Sequence, residues 1–259
     1  MLIDAHCHLD FEAFDDDREA MFERARAAGV GHFLVPGTTR ERWPAVLALG
    51  ERDDVHVSLG LHPYFMHEHG ADDVEALARL LDEHPEVRAL GECGIDARFE
   101  ESLDDQWQLF DAQLRLAKAR RLPVVIHCVH ANDKVSKRLR QLDLPAGGLI
   151  HAFAGSPDQA WKFLDLGFVV GLGGAVTYER AQRLWRAVKS LPEDGFVLET
   201  DSPDMPLCGY QGQRNEPARI VQVCEMVAKL RGETSELVAA QSTATAGRVF
   251  GLDLGEGVA

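Results

Sequence analysis

Short apolar runs alternate with amphipathic helical segments from one end of the chain to the other. That alternation limits the fold more than any other feature. Runs at Leu2–His6, His32–Val35, Val55–Gly60, Val87–Gly91, Pro123–Ile126, Gly148–Ile150, Phe168–Gly171 and Gly195–Leu198 read as strands. Helices are predicted over Asp15–Ala28, Thr39–Gly50 with Thr39 as cap, Asp72–Asp82, Leu103–Arg121, Ala131–Gln141, Pro157–Leu166 and Tyr178–Leu191. Two more, Pro217–Arg231 and Ser235–Phe250, close the chain. The run Val124-Val125-Ile126 is continuously apolar, as a parallel strand covered on both faces should be. Alternating strands and helices of this number predict an α/β fold, a TIM-type (β/α)8 barrel in a single domain spanning residues 1–259. A length of 259 residues suits such a barrel, and no linker or low-complexity stretch interrupts it. The Gly-rich end after about residue 251 reads as a loose tail.

In a closed α/β barrel the working residues stand at the carboxyl ends of the strands. In chain order those ends carry His6 and His8, His62, Glu92, His127, His151, then Glu199 and Asp201. The first strand carries its His-x-His in extended conformation, and alternation puts His6 and His8 on one face. Imidazoles and carboxylates are hard-to-borderline metal ligands, and the topology would bring these to one mouth. So many ligands suggest two metals with a bridging carboxylate between them. Glu92 is the natural bridge, midway around the barrel between Gly91 and Gly94, where small residues permit close approach. The plain alternatives are polar capping residues at His6 and His8, a helix-facing ion pair at Glu92, and a capping or packing role for His62 beside Pro63. Glu199 would orient a ligand or bond backbone donors inside the protein.

A net charge of −15 opposes non-specific binding to a phosphate backbone, though bound cations would reverse the sign locally. The five cysteines are scattered without a Cys-x-x-Cys, so neither a disulfide framework nor a zinc knuckle follows. Cys7, Cys93 and Cys128 sit beside candidate ligands and are expected to pack as small apolar groups. No apolar stretch is long enough to cross a bilayer and no secretory signal is evident, so the expected location is the cytoplasm and no membrane partner is expected.

The segments Ile3-Asp4-Ala5-His6-Cys7-His8-Leu9, Gly60-Leu61-His62-Pro63, Gly91-Glu92-Cys93-Gly94-Ile95-Asp96, Pro123-Val124-Val125-Ile126-His127, His151-Ala152-Phe153-Ala154-Gly155-Ser156 and Leu198-Glu199-Thr200-Asp201-Ser202-Pro203, with Asn215-Glu216-Pro217, stand in a specific order. Together they resemble the TatD family of metal-dependent deoxyribonucleases, within the amidohydrolase-like barrels, over essentially the whole chain. Asp204-Met205-Pro206-Leu207 and Gln211-Gly212-Gln213 resemble its YjjV-type branch. The resemblance implies two divalent metal ions (Zn, Mn, Mg or Fe). His6, His8, Glu92 and Asp201 would hold one, and Glu92, His127 and His151 the other. It implies catalytic roles for Asp201, Glu92 and His62: Asp201 taking the proton of an attacking water, Glu92 bridging in place of the carboxylated lysine of related enzymes, and His62 meeting the substrate phosphate. The implied activity is phosphodiester hydrolysis by a metal-bound hydroxide, on DNA single strands or ends, as an exonuclease or repair-type enzyme. No obligate protein partner is evident.

One departure stands out. Many family members carry an Arg two residues after the ligand matching His127, and this chain has Val129 there. His130, Lys134 and Arg98 are candidate replacements, although solvated surface charge explains them as well. Val129 favours an alternative, a metal-dependent amide or lactone hydrolase acting on a small molecule. A non-catalytic metal-binding scaffold is a third reading, which the complete ligand set opposes. Trp43, Trp107, Trp161 and Trp185 fall in helical patterns and read as packing residues, while Tyr64, Phe65 and Tyr210 lie in loops where they could stack on a base or sugar. His67-Glu68-His69 reads as solvated.

Overall fold

The structure, a computed structural model, describes residues 1–254. Its strands are β1 (Leu2–Asp4), β2 (Val30–Pro36), β3 (Val55–Leu59), β4 (Ala89–Asp96), β5 (Val124–Val129), β6 (Gly148–Ile150), β7 (Phe168–Leu172) and β8 (Phe196–Leu198). They form one 8-stranded parallel sheet in sequence order. Backbone bonds from Ala5 N to Leu198 O (3.1 Å) and from Asp201 N to His6 O (2.9 Å) join the two edges, so the sheet closes on itself. Helices α1 (Arg18–Ala27), α2 (Trp43–Leu49), α3 (Asp73–Glu83), α4 (Leu103–Arg120), α5 (Asn132–Leu142), α6 (Pro157–Leu164), α7 (Gln182–Ser190), α8 (Ile220–Arg231) and α9 (Ser235–Phe250) surround it. This is the expected (β/α)8 barrel. Among the described residues, no helix is long and apolar enough to cross a membrane.

Alternation along each strand sorts the core into two clusters. One residue of nearly every strand joins the inner cluster: Ile3 and Ala5, Leu34, Ala89, Val125, Leu149, Val169 and Val197. Ala246 and Phe250 of α9 close this plug from below. The intervening residues, such as Phe33, Ile126, Val170 and Phe196, pack outward against the helices. Two places beyond the plug residues of β5, β6, β7 and β8 stand His127, His151, Gly171 and Glu199. The site therefore begins one layer above a dry apolar floor, and period-two geometry places it there.

Several boundaries differ from expectation. β1 ends at Asp4 and the chain bends at Ala5 and His6, because the bonds to Leu198 and Ser202 draw it across the barrel mouth. α2 starts at Trp43, not at Thr39, which is buried and whose side chain caps nothing. A short 3-10 turn, Gly174–Thr177, precedes α7, which begins at Gln182. The loose tail expected after about residue 251 does not fit residues 251–254, since Leu252 and Leu254 pack against the inner cluster. The rest of that tail lies outside the described residues.

Two buried glutamines of α4 hold the loops that carry the site. Gln106 accepts from Asp96 N (2.8 Å) and donates to Asp96 O (3.2 Å) at the end of β4. Gln113 accepts from Leu61 N (2.8 Å) and donates to Leu61 O (3.0 Å), fixing the turn before His62. Each satisfies a backbone donor and acceptor at a strand end, where the ladder no longer does.

Candidate metal centre

Glu92 lies fully buried at the middle of the barrel mouth, and its two oxygens face different groups. Oε2 is 3.0 Å from His6 Nε2 and 3.3 Å from His8 Nε2. Oε1 is 2.9 Å from His62 Nε2, 3.1 Å from His127 Nδ1 and 3.1 Å from His151 Nε2. Asp201 Oδ1 stands 3.5 Å from the Nε2 of both His6 and His8. Every candidate ligand named from the strand ends thus converges on one cluster.

The backbone permits this convergence at specific points. Gly94, at φ +147°, pairs with His127, and a Cβ there would meet His127 O at 2.0 Å. Only glycine lets β4 and β5 come this close. Asp201 adopts φ 55°, a left-handed conformation that Asp tolerates, and this follows the bond from its N–H to His6 O.

A group of acids that the sequence reading gave no role, or only an open one, positions the histidines. Asp96 is fully buried; its Oδ2 is 3.1 Å from His127 Nε2. Arg98 grips the same carboxylate with two parallel bonds, Nε to Oδ1 (2.9 Å) and Nη2 to Oδ2 (2.5 Å). Despite its burial, the bonds from Arg98 and His127 hold Asp96 well below the usual carboxylate range. His127 Nε2–H then donates to Asp96, which leaves Nδ1 aimed at Glu92. Glu199, also buried, places Oε1 3.4 Å from His151 Nδ1 and accepts the Ala152 N–H at 2.5 Å. The backbone-bonding role considered for it is present, the carboxylate also stands beside His151, and Gly171 makes room for it, since a Cβ there would sit 2.2 Å from its Oε2. Asp4 accepts from Thr200 N (2.9 Å) and Thr200 Oγ1 (2.5 Å), tying the β8 loop to β1. Burial pushes its carboxyl up to about 8, against those bonds. The signal for Asp4 was present in the sequence: an acid inside an apolar run, two residues before His6.

His62 is buried, and its Nδ1 accepts the Tyr64 N–H at 3.0 Å. Its neutral ring therefore carries the proton on Nε2, facing Glu92. Burial lowers its pKa to about 4, with His127 as a repelling neighbour and Glu92 opposing. His62 caps the turn at Pro63–Glu68 and also faces the cluster. His69 is not solvated as expected, because its Nε2 contacts His62 O at 2.8 Å. His67 is exposed.

The donor set fits divalent cations. His6 and His8 bring two Nε2 atoms within 3.3 Å of each other, an arrangement a cation between lone pairs would explain. The buried Nδ1 atoms of His6 and His8 have no hydrogen-bond partner. Sets of ligand atoms close enough to share an ion include His6, His8 and Glu92; His62, Glu92 and His127; and His6, His151 and Glu199. Burial works against a charged His8, but Asp201 and Glu92 outweigh it and lift it to about 10. Asp201 is held below the usual carboxylate range by His151, His8 and His6, although burial opposes this. The acids of this cluster thus keep their charge and hold positive charge in turn. Cys7 and Cys93 are buried and Cys128 is half-buried; all three are free thiols. Trp43 is buried, while Trp161 is 44% exposed and does not pack as expected.

Comparison with known proteins places this arrangement among others. The family model described as TatD related DNase matches residues 3–251. The uncharacterized metal-dependent hydrolase YjjV of Escherichia coli K12 is 41% identical over 240 residues, 92% of this chain and 93% of that protein. A protein of Pantoea ananatis named 3'-5' ssDNA/RNA exonuclease TatD is 34% identical over 261 residues, 97% of this chain and 100% of its own. The crystal structure of the TatD homologue YJJV from Escherichia coli K12 superposes with a TM-score of 0.94 at 39% identity, covering 97% of this chain and 98% of that one.

Proposed function

The chain belongs to the TatD-related family of metal-dependent hydrolases, and from that membership we propose that it is a divalent-metal-dependent phosphodiesterase acting on DNA single strands or ends. The observation that carries this reading is the division of Glu92, one oxygen toward His6 and His8, the other toward His127 and His151. On this reading His6, His8, Glu92 and Asp201 hold one ion and Glu92, His127 and His151 the second. An imidazole-rich set suits Zn, Mn or Fe better than Mg. Ions held there supply positive charge to phosphoryl oxygens and lower the pKa of water.

The remaining work falls to the chain. Asp201, ionised and partly open to solvent, takes the proton of the attacking water on its carboxylate. His62 presents a protonated Nε2 toward the centre, suited to a phosphate oxygen of the substrate. The plug of Val125, Leu149 and Val197 keeps water out from below. Asp96 holds His127 in orientation, and the Glu199 carboxylate stands beside His151.

Val129 supports a second reading, hydrolysis of an amide or lactone, because it puts no cation at the end of β5. Purified protein loaded with Mn²⁺, Zn²⁺ or Mg²⁺ is to be assayed on labelled single-stranded and duplex DNA, and on amide and lactone panels. Shortening of single strands carries the first reading. Intact DNA beside turnover of a small carbonyl substrate carries the second.

A further inference from the structure

Arg98 is the one arginine, among the described residues, whose carboxylate partner also bonds a histidine of the metal cluster. It stands two residues beyond the point where Asp96 pairs with Val129 in the β4–β5 ladder. β5 therefore ends in an apolar side chain, while the chain just beyond β4 carries a guanidinium. Arg98 uses one edge, Nε and Nη2, on Asp96. Nη1 makes no hydrogen bond within the described residues, and the side chain is 56% exposed. A guanidinium has five N–H donors in a planar fork, so an outward edge stays available for a second oxyanion. The exposed ring of Tyr64 lies 5.4 Å from that of Phe99, next in sequence to Arg98, so an aromatic surface borders the cation.

We propose that Arg98, clamped by Asp96 beside His127, is the residue that grips a phosphate of the single-stranded nucleic-acid substrate. This rests on the phosphodiesterase reading above and goes beyond it by naming the cation that orients the substrate. Asp96 serves two purposes. It removes most of the rotamer freedom of Arg98 before the substrate arrives, and it keeps the cation one hydrogen-bond relay from the histidine cluster. Arg40 is engaged with Asp72 and Asp73, and Arg214 with Asp17, while Arg42 pairs with Glu12 and reaches Asp10 at 3.9 Å, and none of these acids bonds a histidine of the cluster.

The test compares the full chain with Arg98→Gln and Arg98→Lys. Binding of a fluorescein-labelled, hydrolysis-resistant phosphorothioate single strand is followed by anisotropy across a salt series, with Mn²⁺ present. Losing one charge-assisted contact should weaken binding about tenfold in Arg98→Gln. The slope of log affinity against log salt should become shallower by about 0.7, the value for one phosphate of a single strand. Arg98→Lys should lie between, and KM for a cleavable strand should rise more than kcat falls. Zinc affinity, measured by chelator competition, should agree with wild type within about twofold, because Asp96 stays ionised and bonded to His127. Equal binding and equal salt slope in Arg98→Gln and wild type would overturn the inference. So would a loss of binding that tracks a loss of metal. A wild-type protein that neither binds nor cuts any strand would overturn the phosphodiesterase reading itself, before any variant is compared.

Discussion

Asp96→Asn tests whether the proposed second ion depends on a residue that would not touch it. Asp96 is fully buried, and its Oδ2 lies 3.1 Å from His127 Nε2. Asn keeps the size and removes the charge. A hydrogen bond to a charged acceptor contributes roughly 1.5–3 kcal/mol. The ion pair with Arg98 adds roughly 0–1 kcal/mol, because that guanidinium is largely in solvent. The loss at His127 dominates, and it corresponds to about 10–100-fold in affinity, since about 1.4 kcal/mol is a factor of ten. Outer partners of metal-bound histidines commonly show losses of this size, about 10–100-fold. Zinc titration against a chromophoric chelator should show two affinities in wild type. In the variant the weaker-held ion, assigned to His127 and His151, should dissociate about 10–100-fold more readily. The other, assigned to His6 and His8, should change by less than about threefold, as Asp96 touches neither. Two unchanged affinities, or an equal fall in both with an unaltered urea midpoint, would refute the route through His127.

Two further outcomes follow from the same geometry. Gly94→Ala must push β4 off β5, because the new Cβ would sit 2.0 Å from His127 O at φ +147°. Urea unfolding should show a loss of roughly 2–4 kcal/mol, and a loss under about 1 kcal/mol would mean that the strands part easily there. Asp17 is held well below its ordinary value of 3.8 by hydrogen bonds from Arg214 and then Arg24. Its contribution to stability is therefore present above that ordinary value and lost as pH falls through the lower folded value. The wild-type advantage over Asp17→Asn in urea should be full at about pH 5 and should shrink as acid is added below about pH 4. A constant gap across that window would contradict the assignment.

Much of this architecture was legible in the residues. Each apolar run became a strand, and period two then fixed which side chains face the axis. His127, His151 and Glu199 fall two places beyond Val125, Leu149 and Val197, so a list of strand ends already located much of the cluster. His6 and His8 were found for a reason that did not hold. β1 stops at Asp4, and backbone bonds across the β1–β8 seam, not strand alternation, bring the two rings together. The pairing of Asp96 with both His127 and Arg98 was hidden, because it depends on the cross-strand register of β4 on β5. The sequence offers Arg98 only as one of three candidate cations, beside His130 and Lys134, and the clamp by Asp96 is what the fold adds. The same limit applies to His69, whose bond to His62 O needs the loop to fold back on itself. Trp161 misled because helical spacing alone does not say which flank of a short helix meets a neighbour.

On the proposed reading, Glu92 would share its two oxygens between two cations. Elemental mass spectrometry of protein reconstituted with Mn²⁺ or Zn²⁺ and desalted, for wild type beside Glu92→Gln, reads that claim most directly. Two ions per wild-type chain, falling to one or none in the variant, is the predicted result. A wild-type chain that retains no ion, or a variant that keeps both, would contradict it.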